Sequence, residues 1–216
     1  METAKKPVGY YDDIEISVEE AVSNAAVLDC LFYMKDLKQR KLFLPTEIEA
    51  ETVGDIVRHI MQINREDADI PPEERKPILL YVSCRGGSLG DGMSVIDAIE
   101  NSLTPVYTIN IGYAYSMGFL IGLAGHKRFC TKNAMFLMHD GTDFIMDSSA
   151  KAIDRLEFNK RMEARLKQYV ISHSKITQEE YEQKYRVEWY MFSDEAKENG
   201  FVDFIIGEDC DLNSIV

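Results

Sequence analysis

The feature that most constrains this fold is the apolar run "ILLYV", residues 78–82, which contains no charged residue. Pro77 precedes it, and the glycine-containing turn "CRGG" follows it after a single serine. A continuous apolar run bounded by turn residues is typical of a strand that is buried on both faces. Such a strand needs helices to cover the sheet, so the sequence predicts an α/β fold with this segment at its centre.

The segments that follow repeat the pattern of strand and helix. They are the turn "CRGGSLGDG", the helix "MSVIDAIEN", the strand "PVYTINI", a helix that begins at Ser116, and the strands "RFCT" and "AMFLMHD". Strands that alternate with helices predict a parallel or mixed sheet with right-handed crossover connections.

The flanking segments add elements on both sides of this unit. Upstream, the pattern predicts a helix over 18–35, a short strand in "KLFLP", a helix in "AETVGDIVRHIMQIN" and an exposed loop in "REDADIPPEERKP". Downstream, a long charged amphipathic helix is predicted over about 147–174, with Ile153, Met162, Leu166 and Val170 as candidate buried positions. Thr177 and Glu180 form a capping-box pattern, "SDEAKENG" predicts a short helix from Ser193 to Gly200, and "FVDFII" predicts the last strand.

Composition limits the classes of function. The 216 residues are 45% hydrophobic, which is enough for one substantial core, and the formal net charge is -13. Because no basic cluster offsets that charge, we expect neither a nucleic acid nor a membrane as a partner. The N-terminal residues lack the apolar core of a signal peptide, so a soluble, cytoplasmic protein is expected.

The four cysteines are widely scattered, with neither zinc-site spacing nor a CxxC pair. Cys30 and Cys130 lie in apolar runs, and we expect both to be buried. The sequence therefore predicts no metal and no cofactor.

Ser116 stands in "GYAYSM", where an apolar strand ends and a helix begins. One interpretation is an N-cap, since serine oxygens often accept a hydrogen bond from the first turn of a helix. The other is a nucleophile elbow, a tight turn that exposes the hydroxyl beside backbone N–H donors. The serine alone does not separate the two interpretations.

Three further features bear on that choice. His139 ends a predicted strand, and the carboxyl ends of strands in α/β folds are where sites collect. Gly86 and Gly87 follow the buried strand directly, so an amide there can approach a ligand closely. With the amide of Met117, this loop offers the two donors that an oxyanion hole requires.

The ordered blocks around these residues resemble the caseinolytic protease (ClpP) family, the self-compartmentalised serine peptidases. The blocks are "GGSLGDGMSVIDAI", "GYAYSMGFLIGLAG", "KRFCTKNAMFLMH" and "SDEAKENGFVD". The resemblance implies a ClpP/crotonase-type ββα spiral fold. It implies an N-terminal extension with the first helix over 1–36, a protease domain over 37–208 that includes a protruding handle over about 141–180, and a tail over 209–216.

By position, the resemblance implies that Ser116 is the nucleophile, His139 the general base, and Gly87 and Met117 the oxyanion donors. It also implies heptameric rings, stacked as a homo-tetradecamer whose chamber admits unfolded polypeptides or peptides. An ATP-driven (AAA+) unfoldase is the implied partner.

The third triad position carries a departure. Glu188 stands where the family has an aspartate, and Asp194 is the reserve candidate for that role. Val187 stands where the family usually has an arginine, which couples contacts between the rings to the triad. These changes leave a second hypothesis open, a regulatory ring subunit with weak or no catalysis. A crotonase-like acyl-CoA enzyme is a third, but it needs no serine–histidine pair.

Overall fold

The computed structural model of the chain describes residues 25–141, 145–184 and 186–215. Within those ranges the chain forms seven α-helices, seven strands and two short 3-10 turns. In chain order they are α1 (Ala25–Lys38), β1 (Lys41–Phe43), α2 (Ala50–Glu66), a turn (Pro72–Glu74), β2 (Ile78–Cys84), α3 (Leu89–Glu100), β3 (Val106–Tyr115), α4 (Met117–Leu123), β4 (Lys127–Thr131), β5 (Met135–Met138), α5 (Ser149–Ser172), α6 (Gln178–Lys184), β6 (Trp189–Phe192), α7 (Ser193–Glu198), β7 (Phe204–Ile206) and a turn (Leu212–Ser214).

The sheet is mostly parallel. Its main path runs β1-β2-β3-β4-β7, with every pair parallel, while β5 pairs with β3 and β6 lies antiparallel to β5. The α/β fold with a predominantly parallel sheet is therefore confirmed. The predicted alternation of strands and helices is also confirmed from β1 to β5.

On one side, strand β3 pairs with two different strands, one along each half of its length. Tyr107–Asn110 pairs with β4, whereas Tyr113–Tyr115 pairs with β5. At the change of partner, the Asn110 side chain accepts a hydrogen bond from the Gly112 amide at 3.2 Å and donates one to the Met135 carbonyl at 3.3 Å. The amide side chain thus satisfies backbone groups where the regular ladder changes strands.

The core lies on both faces of β2, as the apolar run predicted. Leu80 and Val82 face a large cluster that includes buried residues of α2, α3 and α4, such as Ile60 and Ile99. Leu79 faces the opposite side, where Ile109, Phe129 and Ile215 complete a smaller buried cluster.

The prediction for α5 was only partly right. Val170 is buried near its C-terminal end, and the Tyr169 hydroxyl donates to the Leu120 carbonyl there at 2.8 Å. Ile153, however, is 56% exposed, and Met162 and Leu166 are only half-buried. The helix packs on the body through its last turns, so its earlier apolar side chains have no core to enter. Among the helices in the described ranges, none is both long and apolar enough to cross a bilayer.

Three other expectations were tested. The segment after α2 is not uniformly exposed, because Asp67 is fully buried against Arg40. Cys30 is exposed, since α1 presents it away from the core, whereas Cys130 is buried as predicted. The capping box is confirmed, because the Glu180 carboxylate accepts from the Thr177 amide at 2.7 Å. The predicted start of α1 falls in residues 18–24, outside the described residues.

Candidate active site

Ser116 joins the end of β3 to the start of α4 through an unusual backbone conformation. Its φ is 53° and its ψ is -120°, in the region that non-glycine residues rarely adopt. Its amide donates to the Leu137 carbonyl at 2.9 Å, which ties the turn to β5. The side chain makes no capping hydrogen bond to α4, although the residue occupies the N-cap position. A strained strand-to-helix turn with a free hydroxyl is the geometry of a nucleophile elbow.

The glycine loop packs directly against this elbow. Gly86 and Gly87 have φ values of 104° and 142°, which favour glycine. A Cβ on Gly86 would lie 2.7 Å from the Ser116 Cβ and 3.0 Å from the Met117 nitrogen. The loop is held from its other side by Ile48, whose amide donates to the Gly86 carbonyl at 2.8 Å and whose carbonyl accepts from the Ser88 amide at 2.7 Å. Only glycine at position 86 allows so close an approach.

Two backbone donors remain open on these touching segments. Within the described residues, the amides of Gly87 and Met117 have no hydrogen-bond acceptor. Met117 is the first residue of α4, where an amide has no partner inside the helix. The Gly86 amide is occupied, since it donates to the Cys84 sulfur at 3.4 Å. The pair of open amides can therefore bind an oxygen that gains negative charge beside Ser116.

Cys84 lies beneath this loop and is fully buried. Burial raises the pKa of its thiol. It therefore stays protonated near neutral pH and is a poor nucleophile. Within the described ranges, no three His, Cys, Asp or Glu side chains cluster as a metal site would require.

The pairing of β5 with β6 indicates where His139 and Glu188 lie relative to each other. The last pair of this antiparallel ladder is Met138 with Trp189. Extending the register by one residue sets His139 opposite Glu188 on the same face of the sheet. Directly opposed residues have Cβ atoms about 5 Å apart. No hydrogen bond among the described residues joins His139 to Ser116 or to Glu188; the Glu188 Oε2 instead accepts from the Tyr190 hydroxyl at 3.2 Å.

The same register counts against Asp194 as the partner of His139. Asp194 is exposed in the first turn of α7, beyond Phe192, which pairs with Met135 at the far end of the ladder. The four steps along the strand from Met135 to His139 span about 13 Å. The register therefore favours Glu188 over Asp194 as the carboxylate beside the histidine.

Sequence reasoning assigned no role in the site to Tyr190 or Ile48. Tyr190 lies two residues after Glu188, so the strand period of two puts both side chains on one face. That signal was present in "EWYMF". Ile48 carries no comparable signal, because its contact with the glycine loop depends on how α2 is positioned.

The model of the Clp protease family matches residues 23–209 of the chain. The match covers most of the sequence, and the protein belongs to the Clp protease family. It begins upstream of residue 37, so it includes helix α1 as well as the sheet and the site. The mixed α/β architecture with its mainly parallel sheet agrees with the fold of that family.

Proposed function

We propose that this protein is a serine endopeptidase in which Ser116 is the nucleophile. The observation that carries the proposal is the strained elbow at Ser116, packed against Gly86, with two open amide donors beside it. Serine at a helix start needs no such strain if its role is capping. Strained backbone is maintained where the surrounding structure holds it, often at active sites.

In the proposed mechanism, His139 takes the proton of the Ser116 hydroxyl as its oxygen attacks a peptide carbonyl. The Gly87 and Met117 amides donate to the carbonyl oxygen as it becomes an oxyanion. His139 then gives the proton to the leaving amine, and an acyl-enzyme forms. Water releases the acyl group by the same steps, and Glu188 orients the imidazole throughout.

The proposed substrates are unfolded chains or short peptides that reach Ser116 inside a chamber of two heptameric rings. Family membership and the exposed apolar side chains of α5 support assembly. Ile153, Leu156 and Phe158 are each more than half exposed in the single chain. Exposed apolar side chains close together on one helix are typical of an interaction surface. We further propose a cytoplasmic location and an ATP-driven unfoldase as the partner.

A specific observation also favours a second candidate, a ring subunit without efficient catalysis. His139 has no hydrogen bond to Ser116 or Glu188, and the Glu188 carboxylate is exposed. Val187, at the position that resembles a ring-coupling arginine, is 51% exposed and uncharged. This candidate predicts assembly without turnover.

The experiment that separates the two candidates is labelling of the purified protein with a fluorophosphonate, read by intact mass and peptide mapping. We expect one adduct, at Ser116, and none on Ser116→Ala. Ser88→Ala is the matched control, because Ser88 is a true N-cap whose oxygen accepts from the Asp91 amide. Its labelling should equal that of the wild type. An assembled ring that does not label would support the non-catalytic subunit.

A further inference from the structure

The Glu188 carboxylate has one described partner, and it is not the histidine. The Tyr190 hydroxyl donates to Glu188 Oε2 at 3.2 Å. In the ladder, Tyr190 lies opposite Leu137, and the extended register puts Glu188 and His139 two pairs further on, on the same face. The tyrosine occupies only one of the two carboxylate oxygens.

The Tyr190 ring also packs against the residue that precedes the nucleophile. It packs edge-on against Tyr115, with ring centroids 6.0 Å apart. Tyr115 directly precedes Ser116, and its hydroxyl contacts the Met135 sulfur at 3.8 Å. Partial desolvation and the neighbouring Glu188 charge raise the pKa of Tyr190, so its hydroxyl stays a donor at neutral pH.

A glutamate at the third triad position needs a donor that restrains its carboxylate. Glu188 has one more rotatable bond than an aspartate, and its side chain is exposed, so an unrestrained carboxylate would populate several rotamers. A carboxylate has two acceptor oxygens. Tyr190 occupies Oε2, while Oε1 has no partner among the described residues.

We propose that Tyr190 is a positioning residue that orients Glu188, so that Oε1 accepts the Nδ1–H of His139. The inference rests on the proposed function, because it concerns the same site. It assigns to the pair Glu188 and Tyr190 the role that a single aspartate has in the family the sequence resembles. No bond is made or broken at Tyr190; its hydroxyl only holds the carboxylate.

A double-mutant cycle on a short fluorogenic peptide tests the proposal. Tyr190→Phe keeps the ring and removes the donor, and we expect kcat to fall about tenfold with KM unchanged. In the Glu188→Ala background the same change should have no further effect. Two controls, Tyr107→Phe on the other half of β3 and Asp194→Ala, should retain wild-type kcat.

A second measurement does not depend on turnover. The Nδ1–H proton resonance of His139 is followed by NMR, with its signal identified by His139→Gln. We expect Glu188→Ala and Tyr190→Phe each to weaken this resonance through faster exchange with water, because the imidazole N–H loses an oriented acceptor.

The outcomes separate the inference from the proposed function. If Tyr190→Phe leaves kcat and the His139 Nδ1–H resonance unchanged, or acts equally with and without Glu188, the positioning role is wrong even in an active peptidase. If the chain has no peptidase activity but Tyr190→Phe weakens the His139 Nδ1–H resonance only when Glu188 is present, the proposed function fails and the positioning role stands.

Discussion

The two ends of the parallel strands differ in whether their polar groups have hydrogen-bond partners. At the amino ends of β1 and β3, Asp67 accepts two hydrogen bonds from Arg40, at 2.6 and 2.7 Å, and one from Thr104 at 2.7 Å. Asn64 accepts from the Leu103 and Thr104 amides beside it. Every polar group of this fully buried carboxylate is paired.

At the carboxyl ends, several polar groups have no hydrogen-bond partner among the described residues. They are the Gly87 and Met117 amides, the Ser116 hydroxyl and the His139 ring. The backbone there is also strained. Paired buried groups stabilise a fold, whereas open groups are available to a ligand. The comparison shows paired polar groups at the amino ends of the strands and available donors at the carboxyl ends, where the proposed chemistry would take place.

Gly87→Ala should disrupt the structure at the carboxyl ends of the strands and cause the largest losses of stability and activity. The new Cβ would lie 2.3 Å from the Ile48 carbonyl oxygen at a φ of 142°. We expect the loop to shift, with a loss of about 3 kcal/mol in stability and of about 100-fold or more in kcat. Thermal unfolding and peptide hydrolysis measure both. Gly90→Ala is the matched control, because its Cβ meets nothing within 4 Å; equal losses in the two variants would contradict the assignment.

Asp67→Asn should disrupt only the polar cluster at the amino ends of the strands. It leaves Arg40 without its charge partner, so urea unfolding at pH 7 should show a loss of about 3 kcal/mol with the peptidase rate retained. Asp55→Asn, in an exposed pair with Arg58, should change stability by less than about 0.5 kcal/mol. A large fall in rate for Asp67→Asn would show that the two ends are coupled.

The pH dependence of the same variant sharpens the test. Burial opposes ionisation of Asp67, but hydrogen bonds from Arg40 and Thr104 bring its pKa below the ordinary value of 3.8. A lowered native pKa means that the stabilisation is complete above about pH 4 and is lost as pH falls through the native value. The difference in stability between the wild type and Asp67→Asn should therefore shrink below pH 4.

The smallest expected effect is a gain in stability, in a variant of Ser116. Ser116→Gly should relieve the strain of a φ of 53°, and we expect about 1 kcal/mol of added stability as activity is lost. Ser116→Ala keeps the strained conformation and should show no such gain. If both variants unfold at the same urea concentration, the elbow stores no strain.

Periodicity predicted the strands and helices because burial alone decides them. The run at 78–82 forms β2, and Thr177 with Glu180 forms a capping box, since both depend on neighbours in the chain. The same patterns led to the wrong expectation for Ile153. An amphipathic period shows which residues share a helix face, but it does not show whether another part of the chain covers that face.

The site was less accessible to sequence reasoning where it depends on packing between distant segments. Ser116, Gly87 and His139 could be proposed from strand ends and from resemblance. The resemblance had put Glu188 first with Asp194 in reserve, and the β5–β6 register adds a reason to prefer Glu188 that depends on pairing between distant segments. The buried pairing of Asp67 joins residues 27 and 37 positions apart, and no local pattern indicates it.

Strand β3 also bears on the order in which this protein comes apart. Its ten residues are hydrogen-bonded to β2, β4 and β5, so its central amide protons can exchange with solvent only when several strands separate together. Helices at the periphery, such as α1 and most of α5, can open without disturbing it. We expect hydrogen exchange to be slowest in β3. The serine at its end is thus attached to the last structure to be lost, and a chain that has begun to unfold still carries a formed elbow.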